Sequence, residues 1–471
     1  MKSRKKETFF QSIFALMTSQ VIIKFLGLFY KLYLTNRNGF GDEGNAIANG
    51  AYQVFAIVLS ITAIGIPSAL SKIIAKYTSI GDHKNANRIF KISLLIFSSI
   101  GMIGSYLLII NAKYLSCSYL KIKEAENSII VLAPSVFLVS VISVFRGYFV
   151  GREEARKTAK AQSFDQIIKT FSTVVLIELN VYITKELNTK NMATLSNLST
   201  TLGNIVELTV LYIEFLKMKR EINEEKLESV NVNRIKIKNI VVELFKVAIP
   251  ITLTALITAI SKNIDSITII NGLKSIIGYE NAKREYGILS GKIDALINLP
   301  LSFNMAIAIT LLPKIASAKN DSEIKKRLKQ SFRISMIISI PIFLTYFLYS
   351  NKLIKLLFPK APAGGEILKI SSFSVLFITI EQIANVTLQG LGKTIKPVIS
   401  ITIGIIVKTV LNLLLVPRYE FILGGTKGAA FSTVVCHFIV CIISLIQLYK
   451  YFKRKKREKR RILEIYKEYI S

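Results

Sequence analysis

The chain contains no tryptophan, and its 471 residues include only three cysteines and two histidines. Without tryptophan, anchoring at a membrane–water boundary falls to tyrosine, lysine and arginine. Cys117, Cys436 and Cys441 form no CxxC pair and no ligand cluster, so they read as small apolar packing residues. His83 lies in a loop and His437 in a late apolar run, too few ligands for a metal centre. Acidic residues are also scarce, 30 against 62 Lys and Arg, which leaves a formal charge of +32. So basic a chain could suit nucleic acid. Here, however, the basic residues sit mostly in short segments between apolar runs and at both ends, the pattern of loops facing anionic phospholipid. The outer loops are short, and their only acidic cluster, Asp42-Glu43, is small. A membrane-embedded glycosyltransferase would need paired carboxylates in an external loop, so an enzyme is not expected.

Apolar sequence is abundant: 51% of the residues are hydrophobic, and they come in long runs. The fold class is therefore an all-α polytopic membrane protein. About twelve spans are expected, at 9–34, 47–77, 90–111, 127–150, 161–184, 193–216, 240–261, 286–316, 332–358, 365–389, 396–416 and 424–450. With the N-terminus inside, roughly 40 Lys and Arg fall on inner loops and tails and roughly 14 outside. An even number of spans puts both basic ends on the cytoplasmic side of a bacterial cell membrane. The run after MKSRKK is too long for the apolar part of a cleavable signal.

The longest polar interruption, 217–239, divides the chain near its middle. The expected organisation is an N-terminal six-helix lobe (1–216), a cytoplasmic linker (217–239), a C-terminal six-helix lobe (240–450) and a basic tail (451–471). The halves resemble each other. Residues 145–170 align without gaps to 384–409, with Gly151 on Gly390. Tyr52 and Pro67 correspond to Tyr286 and Pro300. With six spans each, both halves enter the membrane in the same sense, so their pseudo-two-fold runs along the membrane normal. Pro67 and Pro300 are the hinge candidates, because proline frees a helix carbonyl and permits a bend.

The first span carries Lys24 and Lys31 seven residues apart, close to two turns, so both project from one face. A charge at the hydrocarbon centre costs roughly 3 kcal/mol on insertion scales, so that face should meet a wet cavity or a partner. Other spans carry Arg146, the i, i+4 pair Asp165 and Lys169, and Asn204 with Glu207. Later come Lys262, Asn263 and Asp265; Lys292, Asp294, Asn298 and Asn304; Glu381, Gln382 and Asn385; and Lys408 with Asn412. Lys262 and Asp265 are spaced to pair with each other, and Asn298 and Asn385 to bond between helices. Together these groups describe a hydrated, net-cationic interior, with Asp265, Asp294 and Glu381 as balancing carboxylates. Ammonium groups suit phosphate, and amides suit sugars or peptides. A lipid-diphosphate-linked saccharide needs both.

The stretches IIKFLGLFYKLYL (22–34), GAYQVFAIVLSITAIGIPSALSKIIA (50–75), FRGYFVG (145–151), AIPITLTALITAISKNIDSITI (248–269), YGILSGKIDALINLP (286–300) and LQGLGKTIKPVI (388–399) carry a family resemblance. The chain resembles flippases of the multidrug/oligosaccharidyl-lipid/polysaccharide exporter superfamily. It is most similar to the stage V sporulation protein B branch, related to lipid II flippases. The resemblance implies two lobes around a central cavity and alternating access. It also implies that Lys24 and Lys31 take the place of cavity-facing basic residues on the first helix, as Lys where Arg is usual. The basic residues that lipid II flippases carry on their second helix have no counterpart in IGIPSAL. The expected function is translocation of an undecaprenyl-diphosphate-linked saccharide, with no cofactor beyond a coupling cation or the membrane potential. The expected substrate-binding residues are Lys24, Lys31, Arg146, Lys262, Asn263, Asp265, Lys292, Asp294, Asn298, Glu381, Gln382 and Asn385. A cation-coupled multidrug exporter of the same superfamily is the alternative.

Overall fold

The computed structural model describes residues 9–227, 235–316 and 320–470. Among these residues the secondary structure is helical, with no strand. Twelve successive rods run back and forth. The first six are α1 (Phe9–Asn36), α2 (Gly41–Ser79), α3 (His83–Ile110), α4 (Lys123–Gly151), α5 (Ala155–Thr184) and α6 (Thr189–Leu227). The second six are α7 (Ile237–Ile277), α8 (279–316), α9 (Asp321–Leu357), α10 (Gly365–Gly390), α11 (Ile395–Leu415) and α12 (Gly425–Ile470). Among the described residues, nine of the rods are long and apolar enough to cross a membrane. They form two lobes, α1–α6 and α7–α12. Within the stretch 217–239 expected as a linker, α6 continues as helix to Leu227 and α7 begins at Ile237. Residues 228–234 lie outside the described residues. The basic tail likewise continues α12 as helix to Ile470.

The second rod of each lobe is broken by a π-helical segment, Ser60–Ile64 in α2 and Ile288–Ile293 in α8. In α2 the hydroxyls of Ser60 and Thr62 donate back to the carbonyls of Ala56 and Val58, at 2.7 and 3.1 Å. Such side chains compete with the regular ladder, and Pro67 follows at the start of the next helical stretch. In α8 Pro300 has no N–H for the carbonyl of Leu296. The Tyr346 hydroxyl of α9 donates to that carbonyl instead, at 3.0 Å. Pro67 therefore follows directly on the break in α2, whereas Pro300 lies within the regular helix that follows the break in α8.

The two ends of the bundle are packed differently. At the end remote from both termini, one continuous apolar core joins the lobes. It runs from Leu34, Ile47 and Phe55 through Ile293, Leu296 and Tyr346 to Phe358 and Leu368. Toward the termini, separate cores fill each lobe among the described residues. There α7 sides with the first lobe: Ile240, Leu244 and Ala248 pack with Ile66, Ile73 and Phe145. Burial of apolar surface is the main attraction between helices wherever water can enter, so the lobes are fused at the far end, and toward the termini they are joined through α7.

Polar contacts reinforce that far-end seal. Lys292 is fully buried, and its ammonium donates to Asp42 at 2.9 Å and to the carbonyls of Ala361 and Ala363 at 2.8 and 2.7 Å. Lys283 pairs with Glu43, Glu124 and Glu280 at 3.1, 3.0 and 2.7 Å. Asn36 donates to the carbonyl of Leu357, and Lys360 to Asn38, each at 2.8 Å. Close approach of α2 and α8 depends on two glycines four residues apart. A Cβ on Gly287 would lie 1.8 Å from the carbonyl oxygen of Asp42, and one on Gly291 2.4 Å from the Asn45 side chain. Small residues at this spacing allow helix backbones to approach closely.

Candidate functional site

A cavity of about 260 Å³ lies inside the second lobe, between α7, α8, α10, α11 and α12. Six of the expected residues line it: Lys262, Asp265, Asp294, Asn298, Glu381 and Gln382. Their partners differ from the local ones expected. Lys262 pairs with Asp294 of α8 at 2.5 Å, and Asp265 accepts from Lys408 of α11 at 2.6 Å. The i, i+3 pairing of Lys262 with Asp265 is thus replaced by two bridges between helices. Lys408 also lies 3.3 Å from the carbonyl and the hydroxyl of Ser261, while Asn412 donates to the other oxygen of Asp265 at 3.0 Å. Glu381 meets Nδ1 of His437 on α12 at 2.9 Å. Gln382 accepts from Asn304 at 2.6 Å, and the Asn298 amide turns back to the carbonyl of Asp294.

This lining is not cationic. Two ammoniums, Lys262 and Lys408, face three carboxylates, Asp265, Asp294 and Glu381, with His437 beside them. The expectation of a net-cationic interior counted Lys292, but Lys292 is sequestered in the far-end seal by Asp42. Asn263 is also fully buried outside the cavity, its amide donating across to the Gln53 carbonyl of the first lobe at 3.0 Å. Asn385 accepts from Ser444 of α12 at 2.9 Å and serves as helix–helix glue.

The basic character lies in the first lobe. Lys31 donates to the amide oxygens of Asn45 and Asn49 on α2, at 3.2 and 2.9 Å. Asn49 in turn approaches Ser290, in the π segment of α8, at 3.5 Å. Lys24, two turns earlier on α1, is exposed. Arg146 forms a two-pronged bridge to Glu207 of α6 at 2.8 and 2.7 Å, so its charge is neutralised in place. Asp165 and Lys169 form no ion pair. The Lys169 ammonium stands 5.4 and 5.5 Å from the rings of Tyr30 and Tyr52, and the Asp165 carboxylate lies against Gly203. No three His, Cys, Asp or Glu residues group to hold a metal among the described residues.

Lys408, His437, Asn45 and Asn49 escaped the candidate set. The i, i+4 spacing of Lys408 with Asn412, and of Asn45 with Asn49, was the available signal, since each pair shares a helix face. His437 gave no signal before α10 and α12 were brought together.

Residues 9–319 match the polysaccharide biosynthesis protein family, and residues 286–414 the MatE family. Three relatives come from Bacillus subtilis. The membrane protein YabM is 27% identical, over 91% of this chain and 78% of its own length. Stage V sporulation protein B is 24% identical, over 93% of this chain and 83% of its own. The lipid II flippase MurJ is 24% identical, over 86% and 76%. An inward-facing multidrug resistance MATE family transporter of the MOP superfamily superposes with a TM-score of 0.72 at 14% identity. That superposition covers 94% of this chain and 99% of the transporter, so the fold is shared. The chain belongs to the polysaccharide biosynthesis protein family, near the stage V sporulation protein B branch of the multidrug/oligosaccharidyl-lipid/polysaccharide exporter superfamily, and is a polytopic membrane protein with the transporter fold of that superfamily.

Proposed function

We propose that the protein flips an undecaprenyl-diphosphate-linked saccharide across the bacterial cytoplasmic membrane by alternating access. The observation that carries this reading is Lys31 of α1, the first expected span, whose ammonium is held by two neutral amide oxygens rather than by a carboxylate. A phosphate is a far better acceptor than an amide, because charge-assisted hydrogen bonds are roughly twice as strong as neutral ones. Lys24 stands two turns nearer the basic terminus, along the path a headgroup would take. Glu381, Gln382 and Asn298 offer hydrogen-bonding groups for sugar or peptide on the opposite side. A seal at the far end is the arrangement that suits a state open toward the termini. With basic loops inside, that is the state that loads substrate at the cytoplasmic leaflet, among anionic phospholipids.

Expression of Lys24→Ala or Lys31→Ala at normal level, in a host depleted of its own flippase, tests the assignment. Loss of rescue is expected; undiminished rescue by both variants removes the lysine face from the mechanism. Mass spectrometry of co-purifying lipids identifies the carried saccharide.

The acidic second-lobe cavity favours a second reading, a cation-coupled drug exporter. It predicts dye efflux that follows an ion gradient and depends on Asp265, Asp294 or Glu381. Against it, each of those carboxylates already has a basic partner in contact.

A further inference from the structure

We infer that Lys169 of α5, together with Lys31 of α1, forms a two-point clamp for the two phosphates of a diphosphate ester. This rests on the flippase reading above and adds a residue and a chemical selectivity to it.

The other buried or half-buried cations described above each meet a carboxylate: Arg146 meets Glu207, Lys262 meets Asp294, Lys408 meets Asp265, and Lys292 meets Asp42. Lys283 meets three. Lys31 and Lys169 differ. Among the described residues neither has a carboxylate within ion-pair distance. Lys31 has two amide oxygens, and Lys169 has the faces of Tyr30 and Tyr52. The carboxylates within electrostatic reach are engaged elsewhere or turned away. Asp294 is held by Lys262. Asp165, four residues before Lys169, abuts Gly203 so closely that a Cβ there would lie 2.4 Å from its oxygen.

Geometry brings the two ammoniums to one place: Lys169 stands over Tyr30, the chain neighbour of Lys31 on α1, and over Tyr52, three residues beyond the Asn49 that Lys31 bonds. Like charges side by side in a spanning bundle repel and are poorly solvated. A ligand with two adjacent negative groups relieves both costs at once. A monophosphate engages one lysine and leaves the other bare. Amide oxygens and ring faces hold an ammonium in place while conceding it to a stronger acceptor. Released by Lys31, the side chains of Asn45 and Asn49 become free to turn toward the ligand. Asn49 already touches Ser290 at the π break of the other lobe, so occupancy of the clamp reaches the segment that joins the lobes.

The test uses full-length protein and native mass spectrometry with three lipids: undecaprenyl diphosphate, undecaprenyl phosphate and cardiolipin. The wild type should prefer the diphosphate over the monophosphate by about tenfold, the size of one charge-assisted hydrogen bond. Lys169→Gln should abolish that preference and leave monophosphate binding near the wild-type level, whereas Lys169→Arg should retain it. Inorganic pyrophosphate should compete, since the clamp reads the diphosphate and not the chain. A second measurement needs no variant. In the wild type, undecaprenyl diphosphate should protect both Lys31 and Lys169 from an amine-reactive label, and the monophosphate only one. Labelling of Lys169 unchanged by saturating diphosphate overturns the clamp, as does a preference kept intact in Lys169→Gln, and so does cardiolipin binding that equals the diphosphate. If the wild type binds neither undecaprenyl lipid, the flippase reading itself fails.

Discussion

Replacing Lys292 by methionine should unlock the far end of the transporter. Its side chain is 0% exposed, and its ammonium bridges Asp42 of the first lobe to the carbonyls of Ala361 and Ala363 in the second. Methionine fills most of the volume but leaves the Asp42 carboxylate without its counter-charge. Breaking a buried ion pair from one side costs about 3–5 kcal/mol. Asp42 retains 13% exposure, so water screens part of the loss and the low end, about 3 kcal/mol, applies. The cost falls on the sealed conformation alone, because opening the far end hydrates Asp42. An equilibrium shifted by about 3 kcal/mol moves roughly 150-fold toward the open form. The assay begins with Cys117, Cys436 and Cys441 replaced by serine or alanine. Cysteines then stand at Asn38 and Lys360, which touch across the lobes at 2.8 Å. A short bifunctional thiol reagent should cross-link them readily in the wild-type background and poorly in Lys292→Met. Adding Asp42→Asn should recover much of the cross-linking, since removing both charges is far milder than removing one. An unchanged rate in Lys292→Met, in protein that still folds, would refute the role of this pair in closure.

Two further outcomes follow from other buried pairs. Lys408→Met leaves Asp265, only 5% exposed, with the Asn412 amide and no charge partner. Thermal unfolding in detergent should show a loss of about 3 kcal/mol or more, and Asp265→Asn in the same chain should return most of it; equal melting of the single and double variants would contradict the pairing. The second concerns pH. Burial works against the Lys283 ammonium, but Glu280, Glu124 and Glu43 overcome it and hold its pKa above the usual lysine range. A raised folded-state pKa means this contribution is complete below about pH 10 and fades as pH climbs through the folded value. Far-end cross-linking should therefore be flat from neutrality to about pH 10 and fall only above it; a fall between pH 7 and 9 would assign the seal to another group.

Run length and charge placement were enough to specify the twelve rods, their division into two lobes and the intramembrane charges, because hydrocarbon tolerates only long self-bonded helices and taxes every ion within them. Pairing was not legible. Asp165 with Lys169, and Lys262 with Asp265, are well spaced along their helices, yet each charge found its environment on another rod. Spacing reports who shares a face, whereas helix rotation and the meeting of distant segments decide who is met. Lys292 shows the consequence. In sequence it is one more lysine in an apolar run; in space, two glycines of α8 let α2 approach until Asp42 reaches it, and a candidate ligand for substrate becomes the bolt between lobes. Conversely, Lys31 and Lys169 acquire meaning from what the packing withholds, a carboxylate.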